Sequence, residues 1–167
     1  MRYCKIKPND VANGIGITVS LWTQGCPHHC KGCFNTETWD FSKGKEFTHE
    51  QVNEILELLD AHGVHRNLAI LGGEPLCEEN IYGVFSLLSI VKAERPNTKV
   101  YVWTGYKLED LLSKYWKMEF KNIDVLIDGQ FQQDKADMRL KLRGSSNQRI
   151  IDMKETIKQD KIVIKEL

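Results

Sequence analysis

Short apolar runs along the chain predict buried strands. Ile15 to Trp22 is rich in β-branched residues, which favours a first strand. The runs from Asn67 to Leu71, from Lys99 to Trp103 and from Ile123 to Ile127 predict three further strands, each followed by a glycine-containing turn. The tail from Ile150 to Leu167 is ambiguous and leaves room for a late strand at Ile162 to Ile164.

Apolar positions at helical spacing separate these strands. Thr48 and Gln51 fit a capping box at the start of a first helix. Apolar residues predict a second helix from Ile81 to Val91 and a third from Leu108 to Tyr115. Repeated β–α units predict a parallel sheet with outer helices. Because a full barrel needs about 250 residues, we expect an α/β fold that forms an incomplete β/α barrel as one domain over residues 1–167.

Charge and hydropathy exclude some classes of function. Lysine plus arginine and aspartate plus glutamate both number 23, so no basic excess indicates nucleic-acid binding. The apolar runs are far shorter than a membrane span, and Met1 to Pro8 lacks the apolar core of a signal peptide. We therefore expect a cytoplasmic protein that binds neither nucleic acid nor membrane.

Three of the five cysteines follow the spacing CxxxCxxC at Cys26, Cys30 and Cys33. In a reducing compartment, such a group is more typical of a metal site than of disulfides. Iron–sulfur clusters are held by cysteine thiolates, and three cysteines leave one iron of a 4Fe-4S cube open unless Cys4 or Cys77 supplies the fourth ligand. An open metal position can bind a substrate. The amino and carboxylate groups of S-adenosylmethionine (SAM) could chelate that iron.

Two other metal sites fit the same spacing. A structural zinc site would use three cysteines and either His28 or His29. A ferredoxin-like electron carrier needs a fourth cysteine nearby, and none follows Cys33 until Cys77. We interpret both histidines as residues that shape the loop and stay exposed.

The order of short motifs carries a resemblance to a known family. The CxxxCxxC loop after a first strand, followed by the GGEP turn at 72–75, resembles the radical SAM superfamily. The stretch GCPHHCKGCFNTETW, with GGEP, WTGY, DGQF and GSSNQ in that order, is similar to the anaerobic ribonucleoside-triphosphate reductase-activating proteins. The resemblance implies a 4Fe-4S cluster on Cys26, Cys30 and Cys33 and SAM as the second cofactor. It also implies that SAM is cleaved to methionine and a 5′-deoxyadenosyl radical, which takes a hydrogen from a glycine of the anaerobic reductase.

The resemblance further implies which residues contact SAM and which proteins act together. The partners would be the anaerobic reductase and a flavodoxin- or ferredoxin-type reductant. Two alternatives stay open: an activase of another glycyl-radical enzyme, such as pyruvate formate-lyase, and a zinc-binding interaction module. The implied SAM-binding residues are Gly32, Cys33, Phe34, Gly72, Gly73, Glu74, Thr104 and Asp128.

Overall fold

The computed structural model describes residues 1–166, and Leu167 lies outside them. The strands are β1 (Arg2–Asp10), β2 (Thr18–Thr23), β3 (Lys45–Glu46), β4 (Asn67–Gly72), β5 (Val100–Trp103), β6 (Val125–Asp128) and β7 (Arg149–Asp152). The helices are α1 (His49–Leu59), α2 (Ile81–Glu94), α3 (Leu108–Leu112) and α4 (Met153–Gln159). All seven strands form one open sheet in the order β3-β1-β2-β4-β5-β6-β7.

The sheet is mixed rather than wholly parallel. Strands β2, β4, β5 and β6 pair in parallel, whereas β1, β3 and β7 pair in antiparallel fashion at the two sides. A parallel crossover needs a dozen or more residues, and the connection from β1 to β2 comprises only residues 11–17. The expectation of parallel strands therefore does not extend to the flanking strands, and the incomplete barrel stays a prediction.

Alternate residues of the central strands point to opposite faces of the sheet. On one face, Val19 and Leu21 join the large apolar core to which the helices contribute. On the other face, Trp22, Leu71 and Trp103 form a separate apolar cluster. The helices thus bury one face, and the second face is free to line a cavity.

The predicted capping box is confirmed at the start of α1. The backbone N–H of Thr48 donates to Oε1 of Gln51 at 2.9 Å, and the Thr48 hydroxyl accepts from the N–H of Glu50 at 3.3 Å. Val52 and Ile55 then face the core, as expected for helical spacing. Within residues 1–166, no helix combines the length and the apolar character that crossing a membrane requires.

Several predicted boundaries differ from the observed ones. The first predicted strand begins at Thr18 rather than Ile15, because Gly14 and Gly16 adopt φ values of 118° and 80° that interrupt an extended chain. The third helix ends at Leu112, and β7 and α4 occupy the start of the ambiguous tail. At the predicted late strand, Ile164 forms only an isolated bridge with Ile151.

Candidate functional site

A cavity of about 510 Å³ opens where the parallel strands end, on the face of the sheet that the helices leave free. The carboxyl ends of parallel strands are the usual position of ligand sites in α/β folds. Three apolar side chains, Trp22, Leu71 and Trp103, line its wall. The loops that follow β2, β4, β5 and β6 form most of the remaining lining, and Ala12 and Asn13 from the connection between β1 and β2 complete it.

The loop after β2 carries the three closely spaced cysteines, and all three line this cavity. Cys26 is buried, whereas Cys30 and Cys33 are half-buried. The loop closes on itself, because the N–H of Cys26 donates to the carbonyl oxygen of Trp39 at 3.0 Å. His29 stacks on the same Trp39 with ring centroids 4.6 Å apart. The cysteines are therefore held on a loop that turns back to its own start.

Two of the thiols, those of Cys26 and Cys30, lie in surroundings that disfavour their charged form in the protein without metal. Burial raises the pKa of Cys26 to about 11, and burial together with the neighbouring Cys33 raises the pKa of Cys30. Among residues 1–166, no three histidine, cysteine or acidic side chains converge as they would on a single metal ion. A four-iron cube takes its thiolates at separate corners, which lie farther apart than ligands of one ion. Three thiols around one cavity fit that donor set.

Glu74 holds this end of the sheet together through a buried carboxylate. Only 1% of the residue is exposed. Its Oε1 accepts from the hydroxyl of Thr104 at 2.7 Å and from the N–H of Leu76 at 2.9 Å. Its Oε2 accepts from the N–H of Gly105 at 2.6 Å and lies 2.8 Å from Nε2 of His28. One carboxylate therefore joins the turn after β4, the end of β5 and the cysteine loop.

His28 is the cysteine-loop residue that reaches Glu74. Its Nδ1 lies 2.8 Å from Nε2 of Gln130, and its ring meets the edge of Tyr106 at 4.5 Å between centroids. Since an amide nitrogen can only donate, Nδ1 accepts and Nε2 carries the proton donated to Glu74. Both ring nitrogens are thus engaged, which leaves neither free for a metal in this arrangement. The interpretation that His28 shapes the loop agrees with these contacts, but the expectation that it stays exposed is wrong, because only 9% of its side chain is exposed.

The glycine turn after β4 lies directly against the start of the cysteine loop. The N–H of Gly73 donates to the carbonyl oxygen of Thr23 at 2.9 Å, and the N–H of Glu74 donates to the carbonyl oxygen of Gly25 at 2.7 Å. A Cβ atom at Gly73 would lie 2.4 Å from the carbonyl oxygen of Gly25. Only glycine permits this approach of two backbones.

The structure brings most of the predicted SAM-binding residues to the cavity and leaves two outside its lining. Phe34 is exposed at the cavity and lies 5.5 Å from the ring of Phe131. Gly32 adopts a φ of 74° and faces the side chain of Gln133 rather than the cavity. The predicted residues that line the cavity are Cys26, Cys30, Cys33, Phe34, Gly72, Gly73, Glu74 and Thr104.

Asp128 is the second predicted residue outside the lining. It is fully buried, accepts from the N–H of Leu108 at 2.9 Å and forms an ion pair with Arg149. Arg149 also binds Glu109, whose pKa falls to about 2 because of hydrogen bonds from that guanidinium. The Asp128 carboxylate is occupied by these partners, and its contact with SAM stays a prediction.

Sequence reasoning missed residues that come from the segment after β6. Arg143 lines the cavity together with Gln148, but the sequence motif GSSNQ includes only Gln148. The available signal was the arginine directly before that motif. The sequence also gave no reason to connect His28 with Glu74, because 46 positions separate them.

Comparisons with known proteins agree with the cysteine spacing. Residues 12–151 match the family described as a 4Fe-4S single cluster domain. The anaerobic ribonucleoside-triphosphate reductase-activating protein of Salmonella typhi is 40% identical over 150 residues, which cover 89% of this chain and 96% of that protein. The proteins of the same name from Escherichia coli strain K12 and Enterobacteria phage T4 are 38% and 39% identical. The matches cover 89% and 90% of this chain and 96% and 93% of those proteins.

The match with these relatives extends over nearly their whole length. The family match over residues 12–151 includes the cysteine loop and every residue that lines the cavity. The chain therefore contains a 4Fe-4S single cluster domain and belongs to the family of anaerobic ribonucleoside-triphosphate reductase-activating proteins.

Proposed function

We propose that this protein is a radical SAM activase that generates a glycyl radical on anaerobic ribonucleoside-triphosphate reductase. Cys26, Cys30 and Cys33 would hold a 4Fe-4S cluster, and SAM would bind in the adjoining cavity. The observation that carries the proposal is that these three thiols and the glycine turn at 72–73 line one cavity. The printed name of the relatives supports the choice of the reductase as the target.

When bound, the cluster supplies the electron that splits SAM into methionine and a 5′-deoxyadenosyl radical. The chain's own residues bind, position and shield the reactants. The turn at Gly73 presents backbone close to the cysteine loop, which suits the amino-acid part of SAM. Phe34 offers an exposed ring beside the cysteines for the adenine. The apolar wall of Trp22, Leu71 and Trp103 limits access of water on the sheet side.

The cavity also needs a cover while the radical exists. Phe34 and Met138 line it and are 68% and 88% exposed. A partner that inserts its target glycine here would remove both side chains from water, and the burial would favour docking. In this proposal the reductase itself completes the shielding, and a flavodoxin- or ferredoxin-type protein delivers the electron. Both interactions take place in the cytoplasm.

Anaerobic reconstitution tests the cluster assignment. We expect about four irons per chain in the wild-type protein and loss of SAM cleavage after Cys26→Ala, Cys30→Ala or Cys33→Ala. Cys4→Ala and Cys77→Ala are the matched controls and should retain iron and SAM cleavage. Full SAM cleavage in Cys30→Ala, or stoichiometric zinc in place of iron in the wild-type protein, would refute the proposal.

The target is tested by mixing reduced, iron-loaded protein and SAM with each candidate partner. We expect the electron paramagnetic resonance doublet of a glycyl radical with the anaerobic reductase and no such signal with pyruvate formate-lyase. A doublet with pyruvate formate-lyase alone would assign the activase to that other class of glycyl-radical enzyme.

A further inference from the structure

One charged side chain in the cavity has a buried donor without an acceptor. Arg143 is half-buried and lines the cavity. Its Nη1 donates to the carbonyl oxygen of Gln148 at 3.0 Å. Its Nε is buried and has no hydrogen-bond partner among residues 1–166. A buried donor without a partner is unfavourable, so such groups in native proteins point to a ligand, a water or an ion.

The segment before β7 holds the backbone next to Arg143 in a defined position. Leu142 adopts a φ of 58°, which is uncommon for a residue other than glycine. Its carbonyl oxygen accepts from Nε1 of Trp103 at 2.7 Å, a bond that holds the turn against the cavity wall. Strained backbone of this kind is concentrated at functional sites.

Gln148 of the GSSNQ motif fixes the other side of Arg143. Its Oε1 accepts from the N–H groups of Gly144 and Ser145 at 2.9 and 3.2 Å. Its Nε2 donates to the carbonyl oxygen of Gly129 at 3.0 Å, directly after β6. The motif therefore ties the turn to a strand end, and it positions the arginine that precedes it.

The charge of Arg143 has no counter-charge in the cavity. It is the only lysine or arginine in the lining, within the part of the chain that the structure describes. Of the acidic groups there, the Glu74 carboxylate already accepts four hydrogen bonds, and Asp137 pairs with Arg139. A ligand that enters this cavity would therefore meet one unpaired guanidinium.

A guanidinium recognises carboxylates through its planar set of donors. SAM carries one carboxylate, and its adenine and ribose are neutral. We propose that Arg143 binds the methionine carboxylate of SAM, an inference that rests on the proposed function. The unpartnered Nε would donate to one oxygen of that carboxylate, and the GSSNQ motif would hold the guanidinium in place.

Binding of two ligands to the iron-loaded protein tests this assignment. SAM and decarboxylated SAM differ only in the carboxylate, and their dissociation constants are measured by anaerobic equilibrium dialysis. Arg143→Met, which keeps an unbranched apolar stem and removes the guanidinium, should weaken SAM binding about 10- to 100-fold and change binding of decarboxylated SAM less than about twofold. Arg143→Lys should recover part of the loss. Lys141→Met is the matched control, because Lys141 is exposed two residues away and lies outside the cavity lining, and it should leave both constants unchanged.

Three results would overturn the inference, and they differ from one another. Unchanged SAM affinity in Arg143→Met would exclude the contact. Equal losses for both ligands, with iron content retained, would assign Arg143 to maintaining the cavity rather than to the carboxylate. Failure of the iron-loaded wild-type protein to bind SAM would overturn the proposed function itself, and the Arg143 assignment with it.

Discussion

Replacing Glu74 by glutamine should disrupt the junction between the cysteine loop and the strand ends. The carboxylate accepts two hydrogen bonds at each oxygen. An amide nitrogen in place of Oε2 would face the N–H of Gly105, and in place of Oε1 it would face the N–H of Leu76. Either orientation therefore leaves one buried backbone N–H without its acceptor.

The loss of free energy of unfolding can be estimated from the hydrogen bonds that Glu74→Gln removes. A hydrogen bond to a charged group contributes about 1.5–3 kcal/mol, and a stranded buried donor costs about 1–3 kcal/mol. Removing the buried charge offsets part of this sum, because a carboxylate in the interior carries a desolvation penalty. We expect Glu74→Gln to lower the free energy of unfolding by about 3 kcal/mol, which lowers Tm by about 6–12 °C in a chain of this size.

Urea unfolding of the metal-free protein, followed by circular dichroism, measures this effect without involving the cluster. Glu78→Gln is the matched control, because Glu78 is exposed four positions away, and it should change the free energy of unfolding by less than about 0.5 kcal/mol. If Glu74→Gln were as stable as Glu78→Gln, the hydrogen bonds to the Glu74 carboxylate would not stabilise the fold as these distances indicate.

Two further changes test other parts of the same end of the sheet. Glu109→Gln should cost about 1 kcal/mol at pH 7, a value reduced for solvent screening because the Glu109 side chain is 53% exposed. Since Arg149 lowers the pKa of Glu109 to about 2, that contribution is present above pH of about 4.5 and should vanish as the pH falls through about 2. Gly73→Ala should destabilise by about 2 kcal/mol, because the new Cβ would meet the rigid carbonyl of Gly25. Gly83→Ala in α2 would place its Cβ 2.8 Å from the Cβ of Met1, which can shift because it is the terminal residue, and alanine is favoured over glycine within a helix. Its destabilisation should therefore be smaller than that of Gly73→Ala by at least about 1 kcal/mol.

Urea titrations at several pH values check both expectations. A stability difference between the wild-type protein and Glu109→Gln that persists unchanged at pH 2 would contradict the ion pair with Arg149. Equal stability of Gly73→Ala and Gly83→Ala would contradict the close approach of backbone to backbone.

The central strands could be predicted because they are short apolar runs that end at glycine turns. The start of α1 could be predicted because Thr48 and Gln51 meet each other locally, within one helical turn. Strand β1 was missed because Arg2–Asp10 carries charged residues and Pro8, and its outer residues stay exposed. Its place in the sheet depends on pairing with β2 and β3, which a local pattern does not encode.

At the cavity, too, features encoded by neighbouring residues could be predicted, and contacts between distant residues could not. The cysteine spacing and the glycine turn are local signals, and both lie at the cavity. The partners of Asp128 could not be predicted, because the ion pair with Arg149 forms only when β6 and β7 lie side by side. Asp128 therefore forms an ion pair within the protein, although the order of the motifs had suggested a contact with SAM.

The four hydrogen-bond donors around Glu74 determine how much of the protein must be moved if the cysteine loop is to be transplanted into another scaffold. The thiols lie on one loop, yet the position of that loop depends on His28 binding a carboxylate from a different connection, and on Thr104 and Gly105 from a third. A grafted CxxxCxxC peptide would carry the ligands without the bracing that orients them. The smallest portable unit is therefore the loop together with the ends of three neighbouring strands.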